Sequence, residues 1–281
     1  MDNLCVVFGG KGFIGSEFVK QFPDVIVQER DDYIPATNRI FYLISTTHNY
    51  HVHTNPYLDI ETNLNVLIKV LENARERFKD DFEFTFASSW FVYGKTECPA
   101  KETYYCNPTG FYSITKRAAE QLLMSYCDTF GMKYKIVRFA NVLGVGDKNI
   151  SRKKNAFQYM VQQVALGNDV DYLYDGKFYR DFIDVRDAVN VAKLVIEKGD
   201  QNSIYNVGNG VPYDINQWVH YANIKAGGKS KITLIPVPEF HKIVQIKDMW
   251  LDISKIRKLG YKQKYSMQDM IKELVEYYVH G

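Results

Sequence analysis

The chain has 281 residues, enough for one large α/β domain or for a core domain with a smaller lobe. Its 46% hydrophobic and 24% charged residues are typical of a globular protein, and a formal net charge of +2 gives no indication of binding to nucleic acid or an anionic membrane. The cysteines lack paired metal-type spacing, and neither a secretory signal nor an apolar run of the roughly 18 residues that cross a bilayer is found, so a cytoplasmic protein is expected.

The N-terminal segment predicts a strand, a glycine turn and a helix. Leu4 to Phe8 is a short apolar run typical of a strand buried on both faces, and Ile14 to Phe22 follows helical periodicity. Gly9 permits a tight turn, Gly12 lets the backbone approach a pyrophosphate, and Gly15 lets the helix pack on the strand. This order indicates a dinucleotide site, with a plain glycine-rich turn as the alternative.

The second predicted strand, Val25 to Val27, is followed by a charged pair that bears on the cofactor. Glu29 lies about 20 residues after the first glycine, where a carboxylate binds the ribose 2′-hydroxyl of NAD. Arg30 could instead pair with the 2′-phosphate of NADP. We favour NAD because a carboxylate would repel that phosphate; NADP, or a solvated charged loop, remains open.

Arg39 to Ser45 is the next buried strand, and it should bring Ile44 and Ser45 to the cofactor. The dozen residues before it are too few for another helix and strand. A polar loop with three histidines follows: His48, His51 and His53. A loop that lines the substrate cleft is favoured over a metal site, because no carboxylate or cysteine partner is evident.

Pro56 to Phe78 predicts a long amphipathic helix. Its apolar face comprises Leu64, Leu67, Ile68 and Leu71. Asn63 lies near the start of this helix and could reach the cofactor.

The next strand ends at Ser88 and Ser89, and a helix follows from Tyr112 to Phe130. Tyr112 and Lys116 lie one turn apart on one face of that helix. An ammonium near a phenol favours the phenolate, which predicts a pKa for Tyr112 below its usual value of about 10. Such a tyrosine can take a proton from an alcohol, and a serine hydroxyl can bond the same oxygen. A surface helix pair and a strand-ending turn are the alternatives.

These motifs together resemble the extended short-chain dehydrogenases/reductases, specifically the NAD-dependent epimerase/dehydratase family that acts on nucleotide sugars. The resemblance covers nearly the whole chain, through PYLDIETNL, FASSWFVYG, NPTGFYSITKRAAE, RFANVLGVG, YRDFIDVRD and YNVGNG. It implies three catalytic residues: Ser89, Tyr112 and Lys116. It implies cofactor contacts by Gly9, Gly12, Phe13, Ile14, Gly15, Ser88, Tyr112 and Lys116. It also implies contacts to the nucleotide sugar by Ser89, Trp90, Asn141 and Arg180.

Two departures from the family pattern bear on the reaction. The family's 4,6-dehydratases carry an Asp-Glu pair after the catalytic Ser or Thr, where this chain has Trp90 and Phe91, so water elimination is disfavoured. The stretch from His241 to Lys247 does not match the family's usual basic substrate contacts.

The expected fold is α/β, a Rossmann-type doubly wound parallel sheet with a small C-terminal α/β substrate-binding cap. Residues 1–170 form the dinucleotide-binding domain, and residues 171–281 form mainly the cap, with segments interleaved with the core. Lys135 to Phe139 predicts a core strand, and a last helix is predicted from Met267 to Tyr278.

The resemblance implies an NAD(P)-dependent enzyme that transfers a hydride at a sugar carbon, with C4 favoured, through a 4-keto sugar. An epimerase is the favoured reaction; a 4-keto-sugar reductase or a 4-dehydrogenase, using NADPH or NAD, stays open. A non-catalytic nucleotide sensor is disfavoured because it needs none of Ser89, Tyr112 and Lys116. The family also commonly forms homodimers through a four-helix interface, here the helices Asn63 to Phe78 and Tyr112 to Phe130. No metal site is predicted.

Overall fold

A computed structural model describes residues 5–174, 178–244 and 246–280 of the chain. Leu4, which the sequence places in the first strand, lies outside these residues. The strands are β1 (Cys5–Phe8), β2 (Ile26–Val27), β3 (Arg39–Tyr42), β4 (Glu83–Ser89), β5 (Lys133–Phe139), β6 (Asn141–Leu143), β7 (Val170–Tyr174), β8 (Tyr179–Arg180), β9 (Phe182–Asp184), β10 (Ser203–Val207), β11 (Tyr213–Asp214) and β12 (Ile232–Pro236). The α-helices are α1 (Phe13–Gln21), α2 (Tyr57–Ile60), α3 (Val66–Phe78), α4 (Phe111–Phe130), α5 (Ala156–Ala165), α6 (Val185–Lys198), α7 (Ile215–Lys225), α8 (Glu239–Val244), α9 (Ser254–Lys258) and α10 (Met267–His280).

Six strands form one parallel sheet in the order β10-β5-β4-β3-β1-β2. The chain runs from β1 outward to β2 on one side and to β3 on the other, so the order reverses beside β1. In open α/β sheets, ligands bind at such a reversal, outside the carboxyl ends of the strands. The register pairs Phe8 with Tyr42 and Tyr42 with Phe86, which brings the ends of β1, β3 and β4 to one edge.

Alternate residues of the buried strands supply two separate cores. Val6 and Phe8 of β1 pack with α3 and α4, whereas Cys5 and Val7 pack with α1 and α6 on the opposite face. Side chains of successive strand residues point to opposite faces, so a strand buried on both sides must be apolar throughout. This alternation confirms the predicted doubly wound α/β sheet.

The long helix predicted over Pro56 to Phe78 forms in three parts. A π-helical turn, Glu61–Asn65, separates α2 from α3. π-Turns inside α-helices widen the backbone locally and are frequent at functional sites. The turn contains Asn63, whose side chain is buried.

The C-terminal cap is built around a third core. Residues from α5, α7 and α10 pack there with β7 and β12, which pair in parallel. Between these elements the chain returns to the main sheet through β10. α5 precedes residue 171 in the chain, and the division at that position stays a prediction.

The short helices α8 and α9 were not expected from the sequence, because five or six residues are too few for a periodic pattern. The connection from β2 to β3 carries no helix, as its length predicts. Across the described ranges, no helix is long and apolar enough to cross a membrane.

Candidate active site

The glycine turn, Gly9 to Gly15, is tight because its glycines have no side chains that would collide with the backbone. Gly9 has a φ of +82°, which favours glycine, and the Gly12 amide donates to its carbonyl oxygen at 3.0 Å. A Cβ on Gly15 would lie 2.2 Å from that same oxygen, so the close approach of α1 to the turn requires glycine there. The N-cap of α1 makes no side-chain hydrogen bond, which leaves the first helical amides available to an anion.

A cleft of about 520 Å³ opens at the carboxyl edge of the sheet. It brings together most of the predicted site residues: Gly9, Gly12, Phe13, Ile14, Gly15, Ser45, Ser88, Ser89, Trp90, Tyr112, Lys116 and Asn141. The described lining does not include five others: Glu29, Arg30, Ile44, Asn63 and Arg180. One space therefore joins the glycine turn to the Ser-Tyr-Lys group, and its residues fit a dinucleotide whose pyrophosphate meets the amides of α1.

Tyr112 lies half-buried near the N-terminus of α4, beside Ser89 at the end of β4. Burial raises the pKa of the phenol, and hydrogen bonding by Ser89 and Ser45 opposes this in part. The expectation of a pKa below the usual value is therefore wrong, because desolvation outweighs the two favourable hydrogen bonds.

Lys116 is a buried amine. Its Nζ donates to the Ala87 carbonyl oxygen at 2.6 Å and lies 4.0 Å from the centroid of the Phe86 ring. Burial lowers its pKa to about 7, and the Glu120 carboxylate opposes that fall.

Glu29 forms an exposed ion pair with Lys11, with 2.6 Å between Nζ and Oε2. Lys11 belongs to the glycine turn and lines the cleft, whereas Arg30 is exposed. The sequence analysis missed Lys11, although its position between two of the predicted glycines was a signal. Glu29 and Lys11 pair beside the glycine turn and Arg30 follows in the chain, so the choice between NAD and NADP stays a prediction.

Both polar atoms of the Asn63 side chain form hydrogen bonds with other residues of the protein. Its Oδ1 accepts from Ser45 Oγ at 3.0 Å and from the Thr46 amide at 2.9 Å. Its Nδ2 donates to the hydroxyls of Thr46 and Thr115 at 2.8 and 2.9 Å. Ser45 faces the cleft, and Ile44 packs against the core beneath it. Asn63 therefore acts on the site through Ser45.

Of the residues predicted to contact the nucleotide sugar, Ser89, Trp90 and Asn141 line the cleft, whereas Arg180 lies next to Trp90 outside the described lining. Asn141 Nδ2 donates to the Asp181 carbonyl oxygen at 2.9 Å, and Trp90 stacks on Phe91 with ring centroids 3.9 Å apart. The Arg180 guanidinium lies 5.3 Å from the Trp90 ring centroid.

Arg180 is buried, and its hydrogen bonds among the described residues go to backbone carbonyls of Tyr179, Ile246 and Lys247. Burial lowers its pKa to about 10. The nearby Asp248 carboxylate opposes that fall. A buried guanidinium can bind an anion through two parallel hydrogen bonds.

The loop between β6 and α5 lines the cleft with side chains that the sequence analysis missed: Asp147, Lys148, Asn149, Lys154 and Asn155. Lys154 Nζ pairs with Asp147 Oδ1 at 2.6 Å. The basic run Arg152 to Lys154 was the available signal.

The histidine loop meets the stretch that departs from the family pattern. Tyr50 hydrogen-bonds His241 of α8, and Phe240 packs against both Tyr50 and His53. In the described chain, no group of three or more His, Cys, Asp or Glu could hold a metal ion.

Comparison with protein-family models finds a match to the NAD dependent epimerase/dehydratase family over residues 38–208, more than half of the chain. One similar protein is a putative UDP-glucose 4-epimerase of Methanocaldococcus jannaschii, 25% identical over 224 residues, which are 79% of this chain and 71% of that protein.

Solved structures extend the comparison to the whole chain. A UDP-glucose 4-epimerase from Thermotoga maritima, crystallised with UDP-glucose, is 23% identical, covers 98% of each chain and has a TM-score of 0.87. RMD from Pseudomonas aeruginosa, complexed with NADPH, is 18% identical, covers 99% of each chain and has a TM-score of 0.86. At these identities the likeness shows a shared fold.

Proposed function

Because this chain belongs to the NAD dependent epimerase/dehydratase family, we propose that it is a nucleotide-sugar epimerase that transfers a hydride at C4 of the sugar. Membership confirms the predicted family, and with it an enzyme that uses NAD(P). The observation that carries the proposal is the single cleft in which Ser89, Tyr112 and Lys116 face the glycine turn.

When bound, NAD(P) supplies a hydride acceptor, and later a donor, beside the reacting sugar carbon. Tyr112 takes the proton from the C4 hydroxyl as the C–H bond breaks, and the oxygen becomes a carbonyl. Ser89 hydrogen-bonds that oxygen throughout, and the positive charge of Lys116 stabilises the phenolate. Return of the hydride to the other face of the keto sugar would be accompanied by return of the proton from Tyr112 to the oxygen, which would complete epimerisation.

Arg180 supports a nucleotide-linked substrate in particular. A sugar diphosphate is an anion, and a guanidinium binds phosphate oxygens through two parallel hydrogen bonds. The buried position of Arg180 beside Trp90 makes such a pair stronger than it would be in water. The similar epimerase from Thermotoga maritima was crystallised with UDP-glucose, so a UDP-sugar is the first substrate to test.

The second candidate is a 4-keto-sugar reductase, with a 4-dehydrogenase as its reverse. Its chemistry is the second half of the epimerase reaction, in which Tyr112 would donate a proton to the carbonyl oxygen. RMD, which shares the fold, was crystallised with NADPH. Trp90 and Phe91 cannot move protons, so a 4,6-dehydratase is not proposed.

We also propose a homodimer through α3 and α4. Apolar side chains are exposed along α2, α3 and α4: Tyr57, Ile60, Ile68, Phe111, Ile114, Leu122 and Phe130. Contiguous exposed apolar patches mark protein–protein interaction sites, so these helices are the first surface to test for an interface.

The substitution Tyr112→Phe tests the proposed chemistry. It removes the proton carrier and keeps the ring, so turnover of UDP-sugars should fall at least about 100-fold while the affinity for NAD stays within about twofold. Tyr57→Phe, an exposed tyrosine on α2, is the matched control and should leave turnover unchanged. A Tyr112→Phe protein with full turnover would overturn the assignment of Tyr112.

A further inference from the structure

Asp147, in the loop between β6 and α5, is a buried carboxylate in the lining of the cleft, and its side chain is only 2% exposed. Oδ1 accepts from Lys154 Nζ at 2.6 Å and from the Asn149 amide at 3.4 Å. Oδ2 has no hydrogen-bond partner among the described residues. A buried acceptor without a donor costs folding free energy, so Asp147 is a candidate for a contact that a bound ligand completes.

Side-chain amides hold the two ends of this loop in place. Gln158 is fully buried, its Nε2 donates to the Gly144 carbonyl oxygen at 2.8 Å, and its Oε1 accepts from the Gly144 amide at 3.2 Å. Asn155 Nδ2 donates to the Val142 carbonyl oxygen at 3.1 Å and to Gln158 Oε1 at 3.2 Å. A carboxylate carried by a loop that is fixed in this way is preorganised for a ligand.

The same loop borders both halves of the cleft. A Cβ on Gly144, at the start of the loop, would lie 3.5 Å from Phe13 Cζ, so the loop begins against the first residue of α1. At the other end, Asn155 bonds Val142, the chain neighbour of Asn141, and all three line the cleft. The loop therefore reaches from the glycine turn to a residue that is predicted to contact the sugar.

The chemistry of a carboxylate limits what Asp147 can bind. An ionised carboxylate only accepts hydrogen bonds, so its ligand must carry a donor such as a hydroxyl, and phosphate oxygens are excluded. Gly146 and Lys148, on either side of Asp147, are exposed, so the carboxylate lies directly beneath the surface of the cleft. Rotation about χ2, which is a soft torsion in aspartate, turns Oδ2 toward a ligand.

We propose that Asp147 is a specificity-determining residue, whose Oδ2 accepts a hydrogen bond from a hydroxyl of the bound hexose. The inference rests on the proposed function, because it takes a nucleotide sugar to occupy this cleft. A sugar that lacks this hydroxyl leaves the acceptor unpaired, and a sugar with a carboxylate in its place is repelled, so both bind more weakly. The ribose of the cofactor carries the same kind of donor, and the experiment separates the two sources.

The test is calorimetric titration of UDP-glucose into protein saturated with NADH, which cannot oxidise the sugar. Asp147→Ala should weaken the binding of UDP-glucose at least about tenfold, because a hydrogen bond to a charged group is lost. The affinity for NADH alone should stay within about twofold. Thermal unfolding checks that the variant is folded.

Deoxygenated substrates identify the partner of Oδ2. Among UDP-2-deoxyglucose, UDP-3-deoxyglucose and UDP-6-deoxyglucose, one should bind the unsubstituted chain about tenfold more weakly than UDP-glucose does. The same analogue should bind Asp147→Ala as tightly as UDP-glucose binds that variant, because the two changes remove the same hydrogen bond. A purely structural role of Asp147 would not produce this coupling.

Two control variants separate the free oxygen from the ion pair. Asp171→Ala removes an exposed aspartate that pairs with Arg152 of the same loop at 3.7 Å, outside the described lining, and should leave all affinities unchanged. Lys154→Met removes the partner of Oδ1 and keeps Oδ2. The chosen analogue should therefore still bind Lys154→Met about tenfold more weakly than UDP-glucose does.

The outcomes are distinct. If every analogue loses the same affinity in the unsubstituted chain and in Asp147→Ala, Asp147 does not contact the hexose and the proposal is wrong. A loss confined to NADH would place the contact on the ribose of the cofactor and overturn it too. An unsubstituted chain that does not bind UDP-glucose would defeat the proposed function and this inference with it, whereas binding without the coupling would defeat the role of Asp147 alone.

Discussion

Lys116 shows how burial sets the properties of a single side chain in this site. Its amine sits between the Ala87 carbonyl and the Phe86 ring, and its pKa falls from 10.5 to about 7. The unfolded chain binds this proton more tightly than the folded chain does. The free energy of unfolding is therefore reduced by the buried amine below pH 7, and the loss is recovered as the pH rises from 7 toward 10.5.

Lys116→Met should consequently stabilise the protein while it abolishes turnover. At pH 6 the free energy of unfolding should rise by about 2 kcal/mol, because methionine carries no charge that must be desolvated on folding. The loss of the hydrogen bond to the Ala87 carbonyl offsets part of the gain in stability. Urea unfolding at pH 6 and pH 9 measures the effect, which should shrink at the higher pH. Lys95→Met, at an exposed lysine, should change neither value. A gain at pH 6 that persisted undiminished at pH 9 would contradict this account of Lys116.

Sequence reasoning at this scale succeeded where chain spacing fixes the contact. Tyr112 and Lys116 share a helix face, and Ser89 ends a strand beside it, so all three were expected in one cleft and lie there. It failed where the contact joins distant segments: Arg180 meets carbonyls 66 and 67 residues away, and the pKa of Tyr112 depends on burial that spacing cannot reveal.

The glycine turn is part of both the fold and the proposed cofactor site, and Gly12 and Gly15 have different roles in it. A Cβ on Gly15 would collide with the turn itself, 2.2 Å from Gly9 O and 2.7 Å from Gly10 Cα. A Cβ on Gly12 would meet only Gly9 O, at 3.3 Å, and would otherwise project where the backbone is open. Gly15 is thus required by packing, and Gly12 by the approach of a ligand.

Two alanine substitutions separate these roles. Gly15→Ala should lower the free energy of unfolding by about 2 kcal/mol, since overpacked sites must displace backbone. Gly12→Ala should leave that free energy within about 0.5 kcal/mol and weaken the binding of NAD at least about tenfold. Thermal unfolding and calorimetric titration with NAD give both quantities. The assignment fails if Gly12→Ala binds NAD as tightly as the unsubstituted chain.

Elements of regular length were predicted well, and irregular ones were not. The buried strands and the helices α4 and α10 follow clear periodicity and appear within a few residues of their expected bounds, whereas α3 covers only the C-terminal part of the helix predicted over Pro56 to Phe78. The π-turn at Glu61–Asn65 was not foreseen, because its sequence continues a helical pattern. The wider turn is accompanied by tertiary hydrogen bonds of the Asn63 side chain, which accepts from the Thr46 amide and donates to the Thr115 hydroxyl.

At the scale of the whole molecule, the proposed dimer follows from the apolar surface of α3 and α4. Leu122 and Phe130 of α4 are each about two-fifths exposed. Burying such side chains on a second copy stabilises association at roughly 25 cal/mol per Å² of apolar surface.

Leu122→Asp should therefore convert a dimer to a monomer, as measured by sedimentation velocity at about 10 μM. An aspartate in an apolar interface must be desolvated without a partner, which costs several kcal/mol. Leu166→Asp, at a leucine that is more exposed but lies at the end of α5, is the control and should stay dimeric. An unsubstituted chain that sediments as a monomer would rule the proposed interface out.

The central claim is hydride transfer at C4 within one cleft, and isotope retention measures it most directly. The protein is incubated with NAD and a UDP-sugar deuterated at C4, and the sugars are separated and analysed by mass spectrometry. We predict a C4 epimer that keeps its deuterium, because the hydride leaves and returns without exchange with water, and no such product from Tyr112→Phe. An epimer that had lost the deuterium to solvent, or formation of the epimer at the normal rate by Tyr112→Phe, would contradict the account.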